Sequence, residues 1–450
     1  MEKKLWLERA LVLGISIFLL WLPLPEASVP TWAASITLFF VAILTLLWAV
    51  WAVWVLGREA YFPKGLLRTA LLMFCLLLLV QLWLCVQYFL YTNDGSRTFF
   101  YALLGVGYSS AFLQVVTLFP TRKRLSFLVG GLVVSGNVQA FWGAAMTLSG
   151  VNWLFFEPKV FGLSDATGTF VNRNHLAGYL EMTLACGVGL LLALRDGRSF
   201  HWRNIIELVL GPKAKLRLAL VIMVIALVMT HSRMGNTAFF AALMLIGGIF
   251  VLRDKDNRLR NGLILASVVL LDVLIVSQYF GLERLKDRVL DTQLHDVVVA
   301  GEVVQQANEI RPEVFSAAIP LAQERLLVGQ GAGSFEVVFP QYVTEKIKLH
   351  FDHAHNDYLQ FIIEFGLIGF LPLVAFVLVA LYCALSALWD QRSLYRSGLG
   401  VGVSIVIVSI LIHSTTDFNL QIPANALTFV VLCAIGVLAK YHTSSRRKTV

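Results

Sequence analysis

Few charges interrupt this chain. Asp, Glu, Lys and Arg make up 14% of its 450 residues, against about 25% in an ordinary soluble domain. That scarcity excludes a water-soluble globular protein. The 58% of hydrophobic residues, gathered in runs of about 20, point to a polytopic helical membrane protein. Cysteine is also sparse. Cys75, Cys85, Cys186, Cys383 and Cys433 all sit in apolar runs without metal-ligand spacing. None lies in the long polar loop, where an oxidising compartment would make a disulfide useful, so they read as small packing residues. No small-residue cleavage site follows the first apolar run, only Leu22-Pro23-Leu24-Pro25-Glu26, and that run is expected to stay as a first helix. Internal repeats and low-complexity segments are lacking. The net charge of +8 is distributed in a way that serves membrane topology, and no nucleic-acid partner is expected.

Twelve spans are predicted, centred near residues 17, 43, 78, 109, 137, 184, 224, 244, 270, 374, 405 and 432. The expected fold is an all-α integral membrane protein of about twelve transmembrane helices. One large, partly helical periplasmic loop, residues 281–356, falls between helices nine and ten. With the N-terminus inside, 25 of the 36 lysines and arginines face the cytoplasm, as the positive-inside rule asks, and both termini are cytoplasmic. The chain divides into 1–150, carrying helices one to five, a membrane domain over 151–440 and a cytoplasmic tail, 441–450. Within the loop, Arg311-Pro312-Glu313 opens a helix-like stretch with proline in the first turn. It ends at Gly329-Gln330-Gly331-Ala332-Gly333, a sharp turn that lacks the Lys-Ser/Thr of a phosphate loop.

Three polar clusters break the apolar runs, and the charge-derived topology puts all three at the outer face. One is Asp352-His353-Ala354-His355-Asn356-Asp357-Tyr358-Leu359-Gln360, at the mouth of the tenth span. The others are Gly168-Thr169-Phe170-Val171-Asn172-Arg173-Asn174-His175 and Thr230-His231-Ser232-Arg233-Met234-Gly235-Asn236. Ionisable groups at a helix mouth cost free energy to desolvate and mark a site. Histidine moves protons near neutral pH, while arginine holds phosphate with a planar fork that keeps its charge. Each of these residues also has a bland reading, the arginines as side chains snorkelling to headgroups and the histidines as solvated loop ends. The convergence on one face favours function. Asn356, Gln360 and Glu364 fall at i, i+4 and i+8, a polar stripe descending into an apolar helix. His353 and His355, two apart, do not make a zinc motif, and no metal site is expected.

These motifs resemble the O-antigen ligase and polymerase superfamily of bacterial envelope glycosyltransferases. The resemblance rests on Gly168 to Gly178, His231-Ser232-Arg233, Gly329 to Phe335, His353 to Leu359 and Glu364-Phe365-Gly366-Leu367-Ile368-Gly369, in that order, and covers about residues 165–435. It implies transfer of a glycan from undecaprenyl pyrophosphate, at the periplasmic face of the bacterial inner membrane, to an acceptor hydroxyl. Ligation to lipid A core is the favoured form. The alternatives are a polymerase extending lipid-linked repeat units, a protein O-glycosyltransferase and, in another class, a lipid-linked oligosaccharide transporter. In this reading His355 is the base, with His353 as the fallback, and Arg173 and Arg233 bind the donor pyrophosphate. Asn174, Asn356, Glu364 and Asp417 are positioning candidates. No cofactor is expected, and membrane lipid is an expected partner. The outer face shows no Asp-x-Asp pair, which argues against a divalent-metal, nucleotide-sugar mechanism.

Overall fold

The computed structural model describes residues 2–55, 62–63, 65–195, 213–255, 258–267, 270, 297–299, 302–305, 310–345, 347, 349–390 and 392–442. The protein is helical, with helices α1 (Glu2–Trp21), α2 (Thr31–Val55), α3 (Leu66–Leu90), α4 (Gly95–Leu118), α5 (Arg122–Ser149) and α6 (Arg173–Ala193) in its first half. There follow α7 (Ala214–Met229), α8 (Arg233–Arg253), α9 (Arg311–Glu324), α10 (Asp357–Leu388), α11 (Leu394–His413) and α12 (Pro423–Tyr441). A small antiparallel pair, Val297–Val299 with Glu302–Gln305, is the sheet among the described residues.

Nine helices among the described residues are long and apolar enough to cross a bilayer, fewer than the twelve expected from hydropathy. α1 is diluted by Glu2, Lys3, Lys4, Glu8 and Arg9, and α7 has only 16 residues. Much of the expected ninth span, centred near residue 270, most of the first part of the long loop and the tail beyond 442 lie outside the described residues. The protein is a multi-pass membrane protein all the same.

α6 is the hub. Its membrane-length window is wholly buried inside the protein, whereas those of α2 and α10 are 28% buried. In a bilayer, helices gain little from apolar surface alone and instead pack through small residues that let backbones approach. α6 and α11 do so: a side chain on Gly189 would meet the backbone of Gly402 and Gly398, and one on Gly402 would meet the Ala185 carbonyl.

α10 is broken at Gly366, whose φ of 61° and ψ of 179° lie in a region open essentially to glycine alone. The break frees the Phe365 carbonyl for Trp83 Nε1 of α3 at 2.7 Å. It also lets the Leu367 and Ile368 N–H groups donate to the Leu326 and Leu327 carbonyls at 2.9 and 3.2 Å. Gly366→Ala is expected to cost about 1–3 kcal/mol from the backbone alone. A Cβ would also collide with the Leu327 carbonyl, so a thermal-unfolding scan should show a lowered midpoint; an unchanged one would contradict the strain.

Candidate active site

Each polar cluster begins by capping the helix that follows it. Asn172 accepts from the Asn174 N–H at 2.8 Å, Ser232 from Gly235 at 3.2 Å and Asn356 from Leu359 at 3.0 Å. Each cap contributes about 1 kcal/mol. The same motifs therefore serve two ends: they terminate the apolar helix and place ionisable side chains in its first turn.

The α11–α12 turn gathers these side chains. Phe418 stacks face to face with His353, ring centres 4.2 Å apart. His175 and His355 meet the same ring edge-on at 4.5 and 4.8 Å. Beside it Asp417, 1% exposed, lies 3.5 Å from His175 Nε2 and 3.8 Å from Arg311 Nη2. Burial alone would raise the Asp417 carboxyl. The adjoining His175, with His413 and Arg311, holds it well below the usual carboxylate range instead, so Asp417 is an anion at neutral pH. Asn356 Nδ2 ties α10 to the Thr415 carbonyl at 2.9 Å. Asp357, fully buried, accepts from Ser414 Oγ at 2.7 Å and from the Leu420 N–H at 3.2 Å.

His355 has a positive φ of 50° and is half-buried. Burial is the main cause that lowers its pKa, to about 4, with Arg311 and His175 adding to the effect and Asp417 opposing it. It is thus neutral at pH 7. Its Nδ1 is buried without a hydrogen-bond partner among the described residues.

A second group lies on the other side of the α6 N-terminus. Asp165 accepts from Arg173 Nη1 at 2.8 Å, and its other oxygen is 2.6 Å from His231 Nδ1. Burial would raise Asp165, but His231 and Arg173 hold it below its ordinary value. Arg173 remains 44% exposed; with one N–H committed, the rest of its fork of five donors is open to a ligand. Arg233 is an exposed residue in the first turn of α8, which packs close to α6, since a side chain on Gly235 would meet Ala177.

The stripe on α10 is engaged along its whole length. Gln360 Oε1 accepts from the Ala354 N–H at 2.9 Å and fixes the histidine segment. Glu364, wholly buried, accepts from the Gly333 and Phe335 N–H groups at 2.9 and 3.4 Å and from Gln360 Nε2 at 3.0 Å. Its partners are thus the glycine turn and its own helix. That turn is also held by Gln330 N–H to the Ile363 carbonyl at 2.8 Å and by Thr98 Oγ1 to the Ala332 carbonyl at 3.0 Å. The loop has a core of its own, including Val314, Leu321, Phe335, Phe339 and Phe351, which fixes Arg311 at the start of α9.

The structure therefore brings His353, His355, Asn356 and Asp417 together and sets Arg173 and Arg233 at neighbouring helix mouths. Asn174 follows the α6 cap. Sequence reading assigned no role to Arg311, His175, Asp165 or the fully buried Glu181–His413 pair, in which Oε1 and Nδ1 are 2.6 Å apart. In the sequence Arg311 marks only the start of a helix. Among the described residues no three His, Cys, Asp or Glu side chains are grouped to hold a metal ion. Beneath the turn lies an apolar cavity of about 140 Å³, with Leu84, Tyr101, Phe361, Phe365, Leu420 and Phe429 in its wall.

A comparison with curated proteins found no match. Residues 218–374, which include Arg233, Arg311, the glycine turn, both loop histidines and the first part of α10 with its break, match the family model Wzy_C, O-Antigen ligase. That match, over about a third of the chain, supports the resemblance to the O-antigen ligase and polymerase superfamily.

Proposed function

We propose that the protein transfers a glycan from undecaprenyl pyrophosphate to an acceptor hydroxyl by direct displacement at the anomeric carbon, with lipid A core as the acceptor. In this reading it sits in the bacterial inner membrane, both termini cytoplasmic, with the site at the periplasmic face. The observation that carries the proposal is His355 packed edge-on against Phe418, ring centres 4.8 Å apart, next to the buried Asp417; its lowered pKa leaves it neutral at pH 7. A sugar hydroxyl is a poor nucleophile until a base takes its proton. His355 accepts that proton as the new C–O bond forms, and Asp417 stabilises the resulting imidazolium. The bond from the anomeric carbon to the pyrophosphate oxygen breaks, and its electron pair leaves on pyrophosphate. Arg173, Arg233 and Arg311 hold that charge, the work a divalent cation does in other transferases. The description of the matched family as O-antigen ligase favours ligation over the related polymerisation.

One displacement inverts the anomeric centre. Nuclear magnetic resonance of the product from a donor of known configuration should show inversion; retention would mean a covalent glycosyl intermediate and contradict the single step. The pH profile follows from the lowered His355 pKa. The base works when unprotonated, so kcat/KM should stay level from pH 8 down to about 5 and fall as pH approaches the His355 pKa, about 4. A profile that halves near pH 6.5 would place the base on an unperturbed histidine.

A further inference from the structure

Between α5 and α6 the chain forms a tight hairpin that no part of the proposed mechanism uses. Trp153 bridges to Pro158. The Leu154 N–H donates to the Glu157 carbonyl at 2.7 Å and the Lys159 N–H to the Asn152 carbonyl at 3.0 Å. The hairpin lies outside the spans, yet Trp153, Phe155, Phe156, Val160, Phe161 and Leu163 are all exposed, Val160 and Phe161 to 74% and 73%. Six exposed large apolar side chains within eleven residues, with the exposed Glu157 among them, mark a contact surface.

Two further observations say what it contacts and why. The patch continues the lipid-facing side of the helices. Trp142 of α5 donates to the Trp153 carbonyl at 3.2 Å and packs edge-on against Phe155 at 6.3 Å. Phe156 packs against Trp21, at the end of α1, and Trp32, at the start of α2, at 6.1 and 5.8 Å, and the exposed faces of α5 and α2 carry Phe141, Leu148, Phe39 and Phe40. Trp21, Trp32, Trp142 and Trp153 are thus gathered around Phe155 and Phe156, and tryptophan is the residue that an interfacial zone selects. The base of the hairpin is also wired to the site. Lys159, 6% exposed, donates through Nζ to the Asp165 carbonyl at 2.5 Å, and the Asp165 carboxylate holds Arg173 and His231.

We propose that residues 151–163 are seated in the headgroup interface of the bilayer and form the lipid-side rim across which a polyprenyl-linked donor reaches Arg173. The seat stands on the exposed hairpin and its aromatic neighbours, whereas the rim rests on the glycan-transfer reading.

The seat is tested with a nitroxide at Phe161→Cys, in the full chain carrying Cys75→Ala and Cys85→Ala, in liposomes of phosphatidylethanolamine and phosphatidylglycerol. The label should collide more with dissolved oxygen than with a water-soluble nickel chelate. The reverse order would overturn the seat. The rim is tested with Val160→Asp/Phe161→Asp, since carboxylates are disfavoured in this zone. KM for the undecaprenyl-linked donor in liposomes should rise about tenfold, roughly 1.4 kcal/mol, while transfer from a water-soluble short-chain donor stays at the wild-type rate. Equal loss on both donors, or loss on neither, would overturn the rim. Wild-type protein inactive on both donors, with the label still in lipid, would overturn the transfer reading and support the seat.

Discussion

His355→Asn is expected to reduce glycan transfer by about 10²–10⁴-fold, the range supplied by a positioned general base, while the protein still inserts and folds. Asparagine is the cleaner variant than alanine because residue 355 has φ of 50°, a conformation that asparagine tolerates and that would strain most residues. It keeps a polar group against Phe418 and removes only the ability to take a proton. His355→Ala should lose as much. His353→Asn should lose less, because His353 stacks on Phe418 at 4.2 Å and lies 3.3 Å from Asp352, contacts that serve to orient the turn. Wild-type rates in His355→Asn, with loss in His353→Asn, would exchange the two roles. The readout is initial rate at saturating donor, with unfolding temperature measured in parallel.

Arg311→Ala is expected to lower kcat/KM by about 10- to 150-fold, the equivalent of losing a charged hydrogen-bonded contact of about 1.5–3 kcal/mol. Arg311→Lys should recover only part, since an ammonium keeps the charge without the fork. This residue has a second signature. Arg311 is one of the groups that lower the His355 pKa. Removing its positive charge makes the protonated imidazole less costly, so the His355 pKa rises and the acid limb of the rate profile moves to higher pH. Asp417→Asn acts in the opposite sense on the limb, because the carboxylate raises the His355 pKa; its rate should still fall, since the imidazolium loses its counter-ion. A merely structural Arg311 would lose rate without moving the limb, and that result would remove it from the site.

Much of the helix pattern was legible because long apolar runs, and the polar residues that cap them, are local properties. Asn172, Ser232 and Asn356 announce a helix start in the sequence as clearly as in the structure. The number of spans was less legible: α1 and α7 are helices, but charge in one and shortness in the other separate them from the nine. Hydropathy also gave no hint that α6 is the enclosed hub, since lipid tails are as apolar as leucine and a buried span reads like a lipid-facing one. The first cluster, with His353 and His355, could be found because its polar residues are adjacent. Glu181 and Arg311 could not, being single residues whose partners are distant in sequence: Glu181 meets His413 and Arg311 meets Asp417. Polar residues deep in an apolar run, such as Glu181, were the signal available, because each must find a partner. The first five helices, generic by sequence, include Gln87, whose Nε2 donates to the Glu364 carbonyl at 2.8 Å beside the α10 break.

The decisive assay is the mass of the products formed in liposomes by purified protein with an undecaprenyl-pyrophosphate oligosaccharide, a chelator and lipid A core. Glycan covalently joined to the core by wild-type protein, and absent with His355→Asn, is the predicted result. Lengthened lipid-linked glycan that forms without core would assign polymerisation in place of ligation. No covalent product with either acceptor would contradict the transferase reading.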